Sequence, residues 1–240
     1  MVDLGDYRFG FPVRVTASTH AGEEGLLDIE REVELSGPIH AKGVLILHSH
    51  LAALFAHLAP LALNASVVLE QDYSGVEGDS ASCAEFYALL SALSGLPLRQ
   101  GIGVTGAVNQ HGELLPVGGI NEKIEGFFRS CEMLGLDGRQ GVLVPSRNRR
   151  DLMLSPRLVD AVAQGRFHVF AADRVGDGME LLTGHAFGER GDHGYPPDAV
   201  LGRAEATLRT YRRACAAAEH ERRPRALRPL KRTRHALQRR

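Results

Sequence analysis

Two short segments hold the residues of this chain that could do chemistry. The first, residues 75–82, reads Gly-Val-Glu-Gly-Asp-Ser-Ala-Ser and places Ser80 at a glycine-flanked turn before a predicted helix. The second, residues 115–126, places Lys123 one turn into another predicted helix. A serine hydroxyl becomes a good nucleophile when a neighbouring base takes its proton, and a neutral lysine can be that base. Ser80 and Lys123 are therefore candidates for a serine–lysine hydrolytic dyad.

The serine segment has a structural alternative. Gly75 and Gly78 permit backbone angles that other residues resist, and backbone N–H groups near Gly78 and Ser80 could hold the oxyanion of a tetrahedral intermediate. Helix capping would use the same side chains, because Ser82 is followed three residues later by Glu85, as in a capping box. If Ser82 caps the helix, Ser80 remains available for catalysis.

The lysine segment lies on an amphipathic pattern. The helix predicted over residues 120–134 carries an apolar stripe of Ile120, Ile124, Phe127, Cys131 and Leu134. Lys123 lies at the edge of that stripe, where loss of solvation lowers the pKa of a lysine and suits it to act as a general base. The alternative is a lysine whose stem covers apolar surface while its ammonium group stays in water.

Three further residues could support or block this chemistry. Thr105, in a Gly-Val-Thr-Gly turn, could orient the lysine ammonium, although threonine is also favoured in strands. Glu77 and Asp79 lie shortly before the serine and could tune or block the site, and the alternative is that both are solvated turn residues. The eleven histidines show no ligand spacing such as HExxH, so the sequence predicts no metal site. The GxxxxGK[ST] phosphate-binding loop is also missing from these residues, so no cofactor is predicted. The GxSxG motif is missing too, which argues against an α/β-hydrolase.

Composition indicates an ordinary globular protein. The 240 residues are 44% hydrophobic and 24% charged, which suits one large domain or two small ones. The three cysteines lie far apart and form no CxxC, so a disulfide framework is not indicated. No apolar run approaches the roughly 18 residues of a membrane span, and no signal peptide is evident. We expect a cytoplasmic protein without a membrane partner.

A net charge of −1 conceals a basic end. Residues 220–240 contain nine lysines and arginines and one acidic residue, whereas the preceding residues are acidic overall. Two prolines and little apolar surface predict a disordered tail. Phosphate contacts with nucleic acid are the less favoured interpretation of this tail, and a solvated chain end is the simpler one.

The elements that must position the two segments are predicted from hydrophobic periodicity. Alternation over residues 13–18 and 26–35 predicts an N-terminal β-hairpin. Further strands are expected at residues 66–71, 101–109, 113–117, 141–145 and 167–171, and helices at residues 41–58, 80–94, 120–134 and 197–219. Strands come first and mixed strands and helices follow, without a clean β-α-β repeat, so the predicted fold class is α+β.

With these residues identified, the sequence resembles the proteolytic domain of Lon proteases, and most closely the bacterial branch of Lon-related ATP-dependent proteases. The similarity runs from about residue 7 to residue 184. It includes the segments GDYRFG (5–10), DIEREVEL (28–35), GPIHAKGVLIL (37–47), Glu70–Gln71, VEGDSAS (76–82), Thr105–Gly106, Asn109–Gly112, GGINEKIEG (118–126) and QGVLVP (140–145).

The resemblance implies roles for the candidate residues. Ser80 corresponds to the family's nucleophile and Lys123 to its general base, with no catalytic histidine. Thr105 corresponds to a threonine that contacts the lysine. Asp79 stands where archaeal relatives carry an acid that can turn inward in an inactive arrangement. The family's α+β domain assembles into hexameric rings whose sites face an enclosed chamber, so unfolded proteins or peptides are the expected substrates.

The chain also departs from the family pattern, since full-length members place an ATPase before this domain. We interpret residues 1–190 as the proteolytic domain, 191–219 as a helical extension and 220–240 as the basic tail. The chain would be an excised, truncated or standalone domain, for which an ATPase could act in trans. A catalytically silent, ring-forming scaffold is the alternative function, and the presence of both Ser80 and Lys123 disfavours it.

Overall fold

The computed structural model of this chain describes residues 2–71 and 75–222. Helices combine with a three-stranded mixed sheet, a three-stranded parallel sheet and two two-stranded antiparallel sheets, which confirms the predicted α+β class. The basic tail predicted at residues 220–240 lies outside the described residues from residue 223 onward. Within the described part, no helix has both the length and the hydropathy that a membrane span requires.

The N-terminal half is built on a mixed sheet. Two short strands, β1 (Val2–Asp3) and β2 (Arg8–Phe9), pair antiparallel at the start of the chain. Three strands follow, namely β3 (Arg14–His20), β4 (Gly25–Asp28) and β5 (Asn64–Glu70). β5 lies in the middle of this sheet, antiparallel to β3 and parallel to β4.

The hairpin predicted between residues 13–18 and 26–35 is therefore wrong. β3 and β4 are separated by β5, and the chain leaves the sheet after Asp28 to form the short helix α1 (Ile29–Glu32). β5 alternates buried and half-buried side chains, with Ala65, Val67 and Leu69 in the core. Because β5 lies between two strands, its backbone N–H and C=O groups form hydrogen bonds along both edges.

Two helices cover this sheet and form most of the main core. Helix α2 (Pro38–Leu54) begins with proline in its first turn, and α3 (Ser82–Ser94) ends at Gly95 in the left-handed conformation. α3 is buried along most of its length, because β3 packs on one side of it and α2 on another. The largest fully buried side chains include Phe55, Phe86, Tyr87, Leu89 and Leu90.

The second half contains a parallel sheet. Strands β6 (Ile102–Val104), β9 (Gly141–Pro145) and β10 (His168–Ala172) are ordered β10-β9-β6, and every residue of β9 is buried. A small hairpin joins β7 (Ala107–Val108) to β8 (Leu114–Leu115). Only the inner part of the hairpin predicted over residues 101–117 therefore forms, since β6 pairs with β9 instead.

Helix α4 (Ile120–Leu134) has the predicted bounds and packs on β9 through a second, smaller core. Its buried face contains Ile120, Ile124, Phe128 and Cys131. Leu134, which the predicted stripe included, is 89% exposed, as is its neighbour Met133. Phe128 is buried in its place.

Three further α-helices lie in the second half of the chain. They are α5 (Pro156–Ala163), α6 (Val175–Thr183) and α7 (Val200–Arg222). α7 falls in the segment predicted as a C-terminal extension, and it packs against α3. Its residues Val200, Leu201, Ala204 and Leu208 are buried in the main core.

Candidate active site

Ser80 lies two residues before helix α3, in a loop that is hydrogen-bonded to residues 105 and 106. The carbonyl oxygen of Ser80 accepts a hydrogen bond from the Gly106 N–H over 2.9 Å. The Thr105 hydroxyl also reaches that carbonyl at 3.4 Å. Gly78, which precedes the serine, has φ of +84°, a left-handed conformation that glycine adopts without strain. These contacts hold the serine loop against residues 105–106.

The capping box predicted for Ser82 and Glu85 does not form. Ser82 is already the first residue of α3, and the helix has no side-chain cap. The Ser82 hydroxyl instead accepts a hydrogen bond from the Val108 N–H at 3.1 Å, across to β7. Glu85 is buried, with 1% of its surface exposed, and its carboxylate accepts no hydrogen bond from the described residues. The Ser80 hydroxyl is likewise not used for capping.

The structure brings three of the predicted site residues together. Lys123 lies in the first turn of α4, where its N–H donates to Gly119 O, and Gly119 begins the helix with φ of +64°. The Lys123 Nζ lies 2.8 Å from the Ser80 Oγ and 3.4 Å from the Thr105 Oγ1. Thr105 itself is 8% exposed, so this cluster is closed on the side of the threonine.

Burial sets the electrostatics of the lysine. Desolvation lowers the pKa of the Lys123 ammonium below its ordinary value, and the negative charges of Asp79 and then Glu122 act against this effect. Within the described residues, no carboxylate lies within ion-pair distance of Lys123. The nearest polar partners of the Nζ are therefore two hydroxyl groups, which can accept a hydrogen bond from the ammonium or donate to the free amine.

The two carboxylates predicted beside the serine occupy different positions. Glu77 is exposed, and its carboxylate accepts a hydrogen bond from the Gly78 N–H at 3.2 Å. Asp79 is half-buried, and its Cβ faces Gly43 on α2. The Gly78 N–H is thus occupied, whereas among the described residues nothing accepts from the N–H groups of Asp79 and Ser80. Those two groups are the candidates for an oxyanion hole.

The N-terminal segment supports the lysine in a way that the sequence analysis missed. Gly10, which follows β2, donates its N–H to the carbonyl oxygen of Glu122 at 3.1 Å. A Cβ at Gly10 would lie 2.7 Å from the Lys123 Cα, so only glycine lets the two backbones approach this closely. The only signal in the sequence is the glycine that ends the GDYRFG segment.

Asn148 is a second residue that sequence reasoning missed. Its buried amide accepts from the Val117 N–H at 3.0 Å and donates to the Val117 carbonyl at 3.1 Å, which fixes the loop entering α4. A cavity of about 320 Å³ opens beside this loop and is lined by Arg8, residues 117–122, Asn148 and Asp151. An asparagine between arginines gives no pattern from which this role could have been predicted.

Comparisons with known proteins find similarity to one protein family. The family model of the Lon protease (S16) C-terminal proteolytic domain matches residues 74–181. A putative Lon protease homolog of Escherichia coli (strain K12) is 47% identical over 174 residues, which are 72% of this chain and 30% of that protein. A putative Lon protease homolog of Haemophilus influenzae is 42% identical over 176 residues, 73% of this chain and 29% of that protein.

Archaeal relatives share a shorter region. An archaeal Lon protease of Pyrococcus abyssi is 43% identical over 111 residues, 46% of this chain and 10% of that protein. The chain thus spans less than a third of the length of the bacterial relatives that it matches. The matching family model describes a proteolytic domain. The rest of those longer proteins lies outside the region of similarity.

Proposed function

Because this chain belongs to the Lon protease family through the proteolytic domain that it carries, we propose that it is a serine endopeptidase. Its substrates would be unfolded proteins or peptides, with Ser80 as nucleophile and Lys123 as general base. The observation that carries this proposal is the 2.8 Å distance between the Lys123 Nζ and the Ser80 Oγ, in a partly buried site.

In the first step, the neutral amine of Lys123 takes the Ser80 proton while the Oγ attacks a peptide carbonyl carbon. Burial lowers the pKa of Lys123, so a larger fraction of the amine is neutral at a given pH than for a lysine in water. Thr105 fixes the direction of the amine, because its hydroxyl lies 3.4 Å from the Nζ. Thr105 is therefore a positioning residue for the base.

In the second step, negative charge develops on the carbonyl oxygen of the substrate. The N–H groups of Asp79 and Ser80 can stabilise this charge, and the start of α3 adds the positive end of a helix dipole. The Lys123 ammonium then protonates the leaving amine. Water, activated by the same lysine, releases the acyl group from Ser80 and restores the free hydroxyl.

We further propose that this activity is normally coupled to an ATPase that is not encoded in these 240 residues. The chain contains no GxxxxGK[ST] segment and aligns with less than a third of its bacterial relatives. An ATPase acting in trans would supply the part that full-length family members carry in the same chain, and assembly of the domain into a hexameric ring is what the family resemblance implies. Without an unfolding partner, the site should accept only chains that are already unfolded.

Hydrolysis of unfolded casein without ATP tests the proposal. The wild type should release peptides, and Ser80→Ala and Lys123→Ala should abolish the release. Matched controls are Ser49→Ala and Lys42→Ala, which remove an exposed serine and an exposed lysine from helix α2. These controls should retain wild-type activity. Wild-type protein that is inactive even at concentrations at which it forms rings would reject the proposal and favour the silent scaffold.

A further inference from the structure

A second group of ionisable side chains lies outside the candidate active site. Asp28 ends β4, Glu30 lies in α1, and His40 and Glu85 lie in the first turns of α2 and α3. All four are buried, with 8%, 4%, 1% and 1% of their surfaces exposed, respectively. Three consecutive elements and the more distant helix α3 thus bring three carboxylates and one imidazole into the same part of the core.

The distances within this group are too long for hydrogen bonds. The His40 Nε2 lies 3.5 Å from the Glu85 Oε1 and 3.8 Å from the Asp28 Oδ2. The Asp28 Oδ2, the His40 Nε2 and both Glu85 oxygens are buried without a hydrogen-bond partner among the described residues. Glu30 is partly satisfied, because its Oε1 accepts from the Leu69 N–H at 2.7 Å. Unpartnered oxygens that are 99% buried are costly.

The charges of these four side chains are also unbalanced. Three carboxylates face at most one imidazolium, and in the described part of the chain no lysine or arginine lies within ion-pair distance of them. The contrast is Glu205, the other buried glutamate beside a histidine. Glu205 binds both His57 at 3.1 Å and the Arg209 guanidinium, so its charge is compensated. Buried carboxylates require a counter-charge, a proton or a metal ion.

The spacing of the ligand atoms fits an ion. One atom each from Asp28, Glu30 and His40 lies within 4.8 Å of the other two. Ligands bound at about 2.0–2.1 Å in a tetrahedron are about 3.3–3.4 Å apart, close to the two distances measured around His40. We propose that Asp28, Glu30 and His40, with Glu85 beside His40 as the fourth ligand, bind a divalent cation of the Zn²⁺ or Mn²⁺ class. Imidazole with carboxylates suits these ions, whereas Mg²⁺ and Ca²⁺ prefer oxygen alone.

Such an ion would hold together the elements behind the nucleophile. Glu85 lies on α3, the helix that begins two residues after Ser80. His40 lies one turn before Gly43, where a Cβ would be 3.2 Å from the Asp79 Cβ. The ion would therefore join α2 and α3 to the end of β4 and would stabilise the packing under the serine loop. It takes no part in the proposed bond cleavage. The sequence predicted no metal site because these ligands share no regular spacing.

Metal content is the direct test, and it is independent of peptidase activity. The full chain, unfolded and refolded with Zn²⁺ or with Mn²⁺ and then desalted, should retain about one equivalent of one of these metals per chain by elemental analysis. Mg²⁺ in place of these metals should not be retained. The thermal midpoint of the retained complex should exceed that of protein refolded with a chelator, since an ion that binds only the folded state stabilises it.

Variants locate the ion. Glu85→Gln and His40→Gln should each lower the retained metal by about tenfold or more. The matched control is Glu205→Gln, a buried glutamate with its own histidine neighbour, which should retain metal as the wild type does. Circular dichroism establishes that each variant is folded. The proposal is overturned if the wild type retains neither metal after refolding, or if Glu85→Gln retains as much as the wild type.

Discussion

Gly126, one turn after Lys123 on helix α4, lies in direct contact with the backbone of Gly10. A Cβ at Gly126 would collide with the Gly10 carbonyl group, and a Cβ at Gly10 would lie 2.5 Å from the Glu122 carbonyl oxygen. Two glycines therefore permit the N-terminal segment to cross the helix beside the proposed base. The Gly10 N–H donates to that same Glu122 carbonyl, which fixes the crossing.

We predict that Gly126→Ala destabilises the protein although alanine is the better helix former. The gain in helix propensity is about 1 kcal/mol, and forced overpacking costs about 1–3 kcal/mol and must also displace the segment around Gly10. The thermal midpoint and casein hydrolysis should both fall. Gly191→Ala is the control, because a Cβ there meets nothing within 4 Å. A Gly126→Ala variant as stable as the control would contradict the close crossing.

The protonation state of Lys123 predicts how the activity depends on pH. Burial lowers the pKa of Lys123 from its ordinary value of 10.5, and only the neutral amine can take the Ser80 proton. The rate, measured as kcat/KM on a peptide, should rise with pH through a midpoint below 10.5. A rate that is flat across this range, or that falls as pH rises, would argue against Lys123 as the base.

The same shift predicts how stability depends on pH. Between the lowered pKa of Lys123 and 10.5, the unfolded chain binds more protons than the folded one, so stability rises with pH in this window. Lys123→Met, which removes the titrating group, should lack this component of the rise. The measurement is the free energy of unfolding from denaturant titrations at several pH values, comparing wild type with Lys123→Met and with Lys42→Met. The surface variant Lys42→Met should follow the wild type.

Local patterns predicted well those elements whose stability depends on their own sequence. Helix α4 has the predicted bounds because its polar and apolar residues alternate with helical period. Strand β9 was also predicted at its observed bounds, since a short apolar run between turn residues has few alternatives. The juxtaposition of Ser80 and Lys123 was expected through resemblance to a known family, and periodicity alone does not give it.

The errors arose where distant residues decide the structure. The partner of β3 is β5, which arrives only after helix α2, so neither alternation nor turn residues near residue 25 could exclude a hairpin. Ser82 has the sequence of a cap, but the Val108 N–H competes for its hydroxyl from another sheet. The cluster of His40 and Glu85 is similarly invisible in sequence, because it joins residues of two helices.

Substitution of Asp79 tests how a nearby negative charge affects the pKa of Lys123. Its negative charge, and then that of Glu122, raises the pKa of Lys123 against the effect of burial. Asp79→Asn should therefore move the midpoint of the pH–rate profile to lower pH, and Glu122→Gln should move it in the same direction by less. Both shifts should shrink at high salt, since salt screens charges. If Asp79 instead holds the site closed, Asp79→Asn would raise activity at every pH and leave the midpoint in place.

Variants of Thr105 test whether its hydroxyl orients the amine of Lys123. The hydroxyl lies 3.4 Å from both the Lys123 Nζ and the Ser80 carbonyl oxygen, so Thr105→Val removes two contacts and keeps the shape of the side chain. A hydrogen bond contributes about 0.5–1.5 kcal/mol, so kcat should fall about 2- to 12-fold for each contact that is lost in the transition state.

Thr105→Ser, which keeps the hydroxyl, should restore most of that activity, whereas KM should change little because Thr105 is buried behind the lysine. The control is Thr210→Val on the exposed face of α7, where the hydroxyl donates to the Ala206 carbonyl of its own helix. Equal activities of the valine and serine variants would mean that the hydroxyl does not orient Lys123. The loss in Thr105→Val would then be a packing effect, and the base would be held in place by the backbone of α4 alone.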